Sequence, residues 1–190
     1  MYRLVMHVLY SFKYHQRFDE VLKLVSKKEN KILELCFGDI YIAEKCRTRG
    51  IEWTGVDIND GFVKYASDRG YNAYCVDLME LQEFPVADVC IMMGSLYHFY
   101  NEIESLLFKM LNSAPLVIIS EPVGNLSSKK GMIGKISRKL TNAGKGPEYF
   151  RFDGKKIIEM LNNYSSKLKF RFKVISMKKD IIIEIRDERN

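Results

Sequence analysis

The stretch KILELCFGDIYIAEKCRTRGIEWTGVDIN, residues 31–59, decides the predicted fold. An apolar run to Cys36 predicts a strand, a turn around Gly38 leads into a helix that ends at Gly50, and a second apolar run closes on Asp57. This is the pattern of a βαβ unit, in which the acid after the second strand can hold both hydroxyls of a ribose. The stretch therefore predicts a parallel sheet and a nucleoside-type cofactor.

The rest of the chain continues to alternate strands with helices. The predicted helices span residues 1–28, 39–49, 60–69, 102–111 and 153–164, and the predicted strands span 31–36, 53–58, 73–76, 87–93, 116–120, 170–177 and 180–186. A tight turn joins the last two strands, so one of them is antiparallel. We predict an α/β fold with a doubly wound, mostly parallel seven-stranded sheet, an antiparallel last strand and helices on both faces, as a single domain over residues 1–190.

The composition is that of an ordinary globular protein. The hydrophobic fraction is 47% and the charged fraction 28%, and no apolar run is long enough to span a bilayer. The four cysteines form no CxxC pair, so a zinc site is not expected. Free thiols fit a reducing compartment, and we expect a cytoplasmic protein with no membrane partner.

The net charge of +6 is concentrated in one segment. Between Glu121 and Glu148 the chain has no acid and six basic residues, Lys129, Lys130, Lys135, Arg138, Lys139 and Lys145. Positive and negative charges are equal in number over the rest of the chain, which does not favour a general nucleic-acid-binding protein. The glycines of residues 123–148 favour a basic lid or insertion after the fifth strand, and the alternatives are a solvated loop or a phosphate-binding surface.

Several motifs together resemble the class I methyltransferases that depend on S-adenosylmethionine. The matching segments, in the family's order, are ELCFGD (34–39) for the acid and glycine-rich turn, GVDIN (55–59) for the ribose acid, Asp77-Leu78 for the adenine side, DVCIMMGSLYHF (88–99) for the fourth strand and its loop, and LVIISEP (116–122) for the fifth strand. Their order and spacing are more specific than any single motif. The resemblance implies S-adenosyl-L-methionine as the cofactor.

The first motif departs from the family's pattern of acid-x-Gly-x-Gly-x-Gly. Its three glycine positions hold Cys36, Gly38 and Ile40. Glycine in such a turn permits positive φ and close approach of the backbone to a ligand. Cys36 is small enough for the turn, whereas Ile40 is expected to pack the following helix on the sheet. A non-catalytic module that keeps the fold is the alternative that this departure supports.

The resemblance implies cofactor contacts along the carboxyl ends of the strands. Asp39 is expected near the methionine end, where it could hold the ammonium, and its alternative role is to cap the helix. Tyr14 and Arg17 are candidate contacts from the N-terminal helix. The full set of expected cofactor-binding residues is Tyr14, Glu34, Cys36, Gly38, Asp39, Asp57, Ile58, Asp77, Leu78, Met93, Gly94 and Tyr97.

Methyl transfer from a sulfonium is an activated displacement, so the protein mainly aligns the reactants, excludes water and, where needed, supplies a base. His98 is the expected base, because an imidazole has an unperturbed pKa of about 6.5; a structural histidine is the alternative. Glu121 is expected to hold an acceptor hydroxyl or amine, and its alternative role is to cap the segment that follows it. We predict O- or N-methylation of a small or medium-sized acceptor, and an RNA methyltransferase is the alternative.

Overall fold

The computed structural model describes residues 14–123 and 152–189, and a seven-stranded sheet organises them. The strands are β1 (Lys31–Leu35), β2 (Glu52–Asp57), β3 (Asn72–Cys75), β4 (Val89–Met93), β5 (Leu116–Pro122), β6 (Phe170–Met177) and β7 (Asp180–Asp187). Their order across the sheet is 3-2-1-4-5-7-6. β1 to β5 pair in parallel, and β7 runs antiparallel between β5 and β6. The predicted fold class is confirmed.

Helices cover both faces of this sheet. In the described residues they are α1 (Tyr14–Leu22), α2 (Tyr41–Arg49), α3 (Asp60–Ser67), α4 (Ile103–Ser113) and α5 (Gly154–Leu168), with a short 3₁₀ helix at Leu96–Phe99. One core cluster contains α4 and α5 and the other contains α1, α2 and α3. None of the helices described here combines the length and the apolar character needed to cross a membrane.

Some predicted boundaries differ from the observed ones. The predicted helix 1–28 is seen from Tyr14 and ends at Leu22, while residues 1–13 and all but the first residue of the predicted basic segment 123–148 lie outside the described residues. The 3₁₀ helix was missed because a single turn leaves no periodic pattern in the sequence.

The central strands are buried on both faces, as their nearly continuous apolar sequences predict. The first four residues of β4 are fully buried, and so are the last four residues of β1. In β2 the ring of Trp53 lies over Gly55, where any side chain would occupy the same space, and packs edge-on against Phe37 with ring centroids 5.2 Å apart. The backbone of β2 therefore depends on a glycine that accommodates a large aromatic neighbour.

Helix α1 is docked on α2 by aromatic and polar contacts. The ring of Tyr41 stacks on His15 with centroids 4.3 Å apart, and its hydroxyl donates to Asp19 Oδ1 at 2.9 Å. Phe18 and Val21 are buried beneath this contact. The docking places α1 beside the loop that follows β1.

Replacing Gly55 by alanine is expected to lower the free energy of unfolding by about 1–3 kcal/mol, the usual cost of overpacking a core. An added Cβ would overlap the Trp53 ring and lie 2.8 Å from Phe37 Cδ1. Urea denaturation followed by the fluorescence of Trp53, the sole tryptophan, measures the change. Gly61→Ala is the control, because Gly61 is exposed in α3 and an alanine there should change stability by no more than about 1 kcal/mol. Equal effects of the two substitutions would contradict the packing of Trp53 on Gly55.

Candidate cofactor site

The carboxyl ends of the five parallel strands share one edge of the sheet, where the strand order reverses between β1 and β4. Open α/β sheets bind ligands at such a switch point. The strands end near Cys36, Asp57, Asp77, Gly94 and Glu121. Burial raises the pKa of the Cys36 thiol most, and the carboxylates of Asp57, Asp77 and Glu121 raise it further. The structure therefore brings these predicted site residues into electrostatic reach of one another.

Asp57 is a buried carboxylate that binds the backbone of two loops. Its Oδ2 accepts the Gly38 N–H at 3.0 Å and its Oδ1 accepts the Asn59 N–H at 2.8 Å. Burial raises the pKa of Asp57, and these hydrogen bonds offset part of that effect. Each carboxylate oxygen has a second lone pair, so Asp57 fixes both loops and keeps acceptor capacity. Ile58 follows it and is half-buried.

The turn after β1 adopts left-handed backbone at two positions although only one of them is glycine. Cys36 has φ 53° and Gly38 has φ 54°. The left-handed region costs a residue with a Cβ roughly 1–2 kcal/mol. Cys36 is held there by its N–H, which donates to the Val56 carbonyl at 2.7 Å. Ile40 is buried in the core, which confirms its predicted packing role.

Glu34 lies inside the protein rather than at the open edge of the sheet. Its Oε2 accepts the Trp53 indole N–H at 2.8 Å, and its Oε1 has no hydrogen-bond partner among the described residues. Burial raises the pKa of Glu34 well above its ordinary value; the bond to Trp53 lowers it, and the carboxylates of Asp39 and Asp57 raise it again. The pairing with Trp53 was missed by the sequence reasoning, and a direct contact of Glu34 with the cofactor stays a prediction.

Asp39 and Asp77 each bind the backbone of the turn that follows a strand. Asp39 Oδ1 accepts the Tyr41 N–H and Asp77 Oδ1 accepts the Met79 N–H, each at 2.9 Å. An aspartate that binds a nearby backbone N–H offers the backbone an alternative to helical hydrogen bonds. Helix α2 therefore begins at Tyr41 rather than at the predicted residue 39. Leu78 is buried in the core. The cofactor contacts expected of Asp39, Asp77 and Leu78 stay predictions.

Gly94 and Arg17 meet at the end of β4. Gly94 has φ 69°, and Nη2 of Arg17 lies 3.1 Å from the position that a Cβ on this glycine would take. Nε of the same guanidinium is 2.9 Å from Oδ2 of Asp180, and both side chains are less than a tenth exposed. Tyr14, the other candidate from α1, packs its ring on Phe18 in the core, and its contact with the cofactor stays a prediction.

The 3₁₀ helix presents Tyr97 and His98 beside the end of β4. Glu121 is buried, and its Oε2 accepts the Leu96 N–H at 3.0 Å, which anchors the start of this helix. Tyr97 is buried with its ring centroid 3.9 Å from that of the exposed His98. Met93 is half-buried. The bond from Leu96 differs from the cap foreseen for Glu121, which was on the segment that follows β5. The roles of His98 and Glu121 toward an acceptor stay predictions.

Comparison with known proteins shows similarity at the level of the fold. No protein-family model matches this sequence, and no curated protein matches it. Among solved structures, the methyltransferase domain of bacterial CtHen1 shares 17% identity over 90% of this chain and 98% of that chain, with a TM-score of 0.66. The plantazolicin methyltransferase BpumL, in complex with a monoazolic desmethylPZN analog and SAH, shares 14% identity over 98% of this chain and 88% of that chain, with a TM-score of 0.69.

Magnesium protoporphyrin IX methyltransferase (ChlM) from Synechocystis PCC 6803, with bound SAH, shares 16% identity over 96% of this chain and 85% of that chain, with a TM-score of 0.64. The chain has the fold of the class I methyltransferases that depend on S-adenosylmethionine. The resemblance seen in the motifs is confirmed for the fold. BpumL is named for plantazolicin and ChlM for magnesium protoporphyrin IX, which are different compounds. This methyltransferase fold therefore does not by itself specify an acceptor.

Cys36→Val is expected to lower the free energy of unfolding by about 1–3 kcal/mol, because a β-branched residue is strained at positive φ. Cys90→Val is the matched control, since Cys90 is buried in β4 where extended backbone suits valine. Urea denaturation of both variants measures the difference. Equal losses would show that position 36 is not left-handed.

Glu34→Gln is expected to stabilise the protein at neutral pH, since glutamine keeps an acceptor for Trp53 and carries no charge. Because the pKa of Glu34 is raised in the folded state, folding takes up a proton above the ordinary glutamate pKa of about 4.3. Wild-type stability should therefore fall relative to the variant as pH rises from that value, by on the order of 1.4 kcal/mol per pH unit up to the folded pKa. Below pH 4 the difference in free energy of unfolding between the wild type and the variant should level off.

Denaturation midpoints at several pH values, read from Trp53 fluorescence, test this expectation. Glu80→Gln makes the same substitution at an exposed site and is the matched control. A pH-independent difference for Glu34→Gln would mean that its carboxyl is ionised in the folded and unfolded states alike.

Proposed function

We propose that this protein is a methyltransferase that uses S-adenosyl-L-methionine to methylate oxygen or nitrogen on a small or medium-sized acceptor. The observation that carries the proposal is Asp57, a buried carboxylate with remaining acceptor capacity at the end of β2. It stands beside a left-handed turn at the switch point of a class I methyltransferase fold. This is the place where an open α/β sheet holds a nucleoside.

The residues at the strand ends fit such a cofactor by their chemistry. Asp57 would accept from the two ribose hydroxyls, Asp77 from the adenine amino group, and Asp39 from the ammonium of the amino-acid part. Positive φ at Cys36 and Gly38 turns the loop so that backbone can approach a ligand closely. The remaining proposed lining residues are Ile58, Leu78, Met93, Gly94 and Tyr97.

When bound, S-adenosyl-L-methionine supplies a sulfonium-activated methyl group for direct displacement. The chain would align the acceptor and exclude water, which accounts for much of the rate in such reactions. His98 would accept the proton that an acceptor hydroxyl or amine loses. Glu121 would act by holding the Leu96 N–H, and thereby the 3₁₀ helix that carries His98.

The size of the acceptor is supported by the matched structures. BpumL was solved with a desmethylPZN analog, and ChlM is named for magnesium protoporphyrin IX. This chain is matched over 98% and 96% of its length by these two proteins. We propose an acceptor of comparable size by analogy with these two proteins, although the fold itself does not specify one. Residues 129–145, which were expected to bind the phosphates of a nucleic acid, lie outside the described residues.

Calorimetric titration with S-adenosylmethionine and S-adenosylhomocysteine tests the proposal. The wild type should bind both, and Asp57→Asn should weaken binding about tenfold or more, because hydrogen bonds to a charged acceptor contribute roughly 1.5–3 kcal/mol. Asp60→Asn is the control, since Asp60 is exposed three residues further on and should leave affinity unchanged. No binding by the wild type would refute the cofactor, and unchanged affinity in Asp57→Asn would refute Asp57 as its ribose ligand.

A further inference from the structure

The connection between β3 and β4, residues 76–88, contains no helix, although parallel strands are usually joined through one. Backbone N–H and C=O groups that lack the partners of regular structure need other ones wherever water is excluded. Leu78 and Phe84 bury their side chains and so hold this connection on the core. The polar backbone groups of its first turn, residues 77–81, are bound by two side chains of opposite charge, Asp77 and Lys109.

Asp77 binds the N–H side of this turn. Its Oδ1 accepts the Met79 N–H at 2.9 Å, and its backbone carbonyl accepts the Glu80 N–H at 3.1 Å. Asp77 is half-buried after the end of β3 and lies within electrostatic reach of Cys36, which follows β1. Its carboxylate keeps acceptor capacity beyond the bond to Met79. The direction in which it can accept a further bond depends on how the turn is held.

Lys109 of α4 binds the carbonyl side of the same turn. Its Nζ donates to the Leu81 carbonyl oxygen at 2.6 Å and lies 3.4 and 3.5 Å from those of Met79 and Leu78. The ring of Phe84 also borders the ammonium, with its centroid 5.9 Å from Nζ. An ammonium has three protons, so binding to three carbonyls uses its full donor capacity.

The placement of Lys109 differs from that of an ordinary surface lysine. A lysine ammonium is strongly hydrated, and its flexible stem normally carries it into water. The side chain of Lys109 is instead half-buried, with its ammonium on backbone carbonyls. Its helix is firmly packed, because Leu106, Leu107 and Met110 are fully buried. The turn is therefore tied to a rigid helix, whereas β3 before it is a four-residue edge strand with no fully buried residue.

We propose that Lys109 is a positioning residue for recognition of the cofactor's base. By holding the carbonyl side of the turn 77–81, it fixes the direction in which Asp77 accepts a hydrogen bond from the adenine amino group. This inference rests on the function proposed above. It adds a residue of α4 that acts on the cofactor only through Asp77, and it assigns to that residue the selection of adenine over purines that lack the amino group.

Titration with S-adenosylhomocysteine and with an analogue that has hydrogen in place of the adenine 6-amino group tests the proposal, because the ligands differ only in the donor that Asp77 would bind. The wild type should prefer S-adenosylhomocysteine about tenfold or more. Lys109→Met removes the ammonium and keeps the apolar stem, so its preference should fall to about threefold or less. Its affinity for the analogue should stay within about threefold of the wild-type value.

The double variant Asp77→Ala/Lys109→Met separates positioning from stabilisation. Asp77→Ala should abolish the preference, and adding Lys109→Met should lower the affinity for S-adenosylhomocysteine by no more than about twofold further, because Lys109 acts through Asp77. A lysine that only stabilised the loop would lower the midpoint of urea denaturation in Lys109→Met and leave the preference at its wild-type value. That result would overturn the proposal, and so would additive losses in the double variant.

Three further single variants complete the test. Lys167→Met is the matched control, since it removes an exposed ammonium that pairs with Glu104 of α4 and should change neither affinity. Lys109→Arg keeps a cation that can donate to the carbonyls, so it should retain more of the preference than Lys109→Met does. Lys109→Gln is neutral and one bond shorter, and it carries the test if Lys109→Met does not fold. Its preference should be about threefold or less, and a wild-type preference would overturn the role of Lys109.

The outcomes separate this inference from the proposed function. If the wild type binds neither ligand, the proposed function fails and the inference fails with it. If the wild type binds both ligands equally well, the cofactor site stands, but recognition of the amino group through Asp77 and Lys109 is overturned. If the wild type prefers S-adenosylhomocysteine and Lys109→Met keeps that preference, the cofactor site again stands and the positioning role of Lys109 alone is overturned.

Discussion

The candidate site depends on one buried carboxylate that two loops share. Asp57 accepts the N–H of Gly38 from the turn after β1 and the N–H of Asn59 from its own loop. A buried charge is costly unless hydrogen bonds replace its hydration, and here backbone donors provide that replacement. The same bonds hold the turn whose left-handed residues would otherwise relax to more favourable backbone. The loops before α2 and α3 are therefore positioned by a group at the centre of the crevice.

The sequence predicted those parts of the fold that leave a local pattern. The first four residues of β4 and of β5 are buried and form continuous apolar runs, which is typical of strands covered on both faces. The glycine after α2 marked its end, and Gly50 indeed has φ 70°. Local pattern could not reveal the 3₁₀ helix or the pair of Arg17 with Asp180, because one is too short and the other joins residues from opposite ends of the chain.

The site was predicted less completely, because residue type does not fix where a side chain is used. Glu34 and Asp57 both follow the pattern of an acid near a strand end, yet the structure commits Glu34 to Trp53. The cause lies on β2, where Gly55 leaves room for the indole and the buried indole N–H requires an acceptor. Asp39 and Asp77 bind backbone amides of the turns after β1 and β3. These bonds use only part of their acceptor capacity, so a structural and a ligand-binding role are compatible in each. The N-cap role foreseen for Asp39 is wrong, because Ile40 is the N-cap of α2.

The turn after β1 lacks two of the family's three glycines, but its backbone conformation differs less from the family's pattern than its residue types do. Cys36 takes a left-handed φ of 53°, which a glycine would adopt without strain, and its contacts hold it there. Ile40 has φ −84°, an ordinary value for any residue, so this position requires no glycine. Gly38 alone keeps both the residue and the left-handed geometry. The argument for a non-catalytic module rested on the missing glycines, and it weakens because the backbone has not changed in the way that their loss would predict. Strain retained at the turn after β1 instead supports the proposal that this turn binds a ligand.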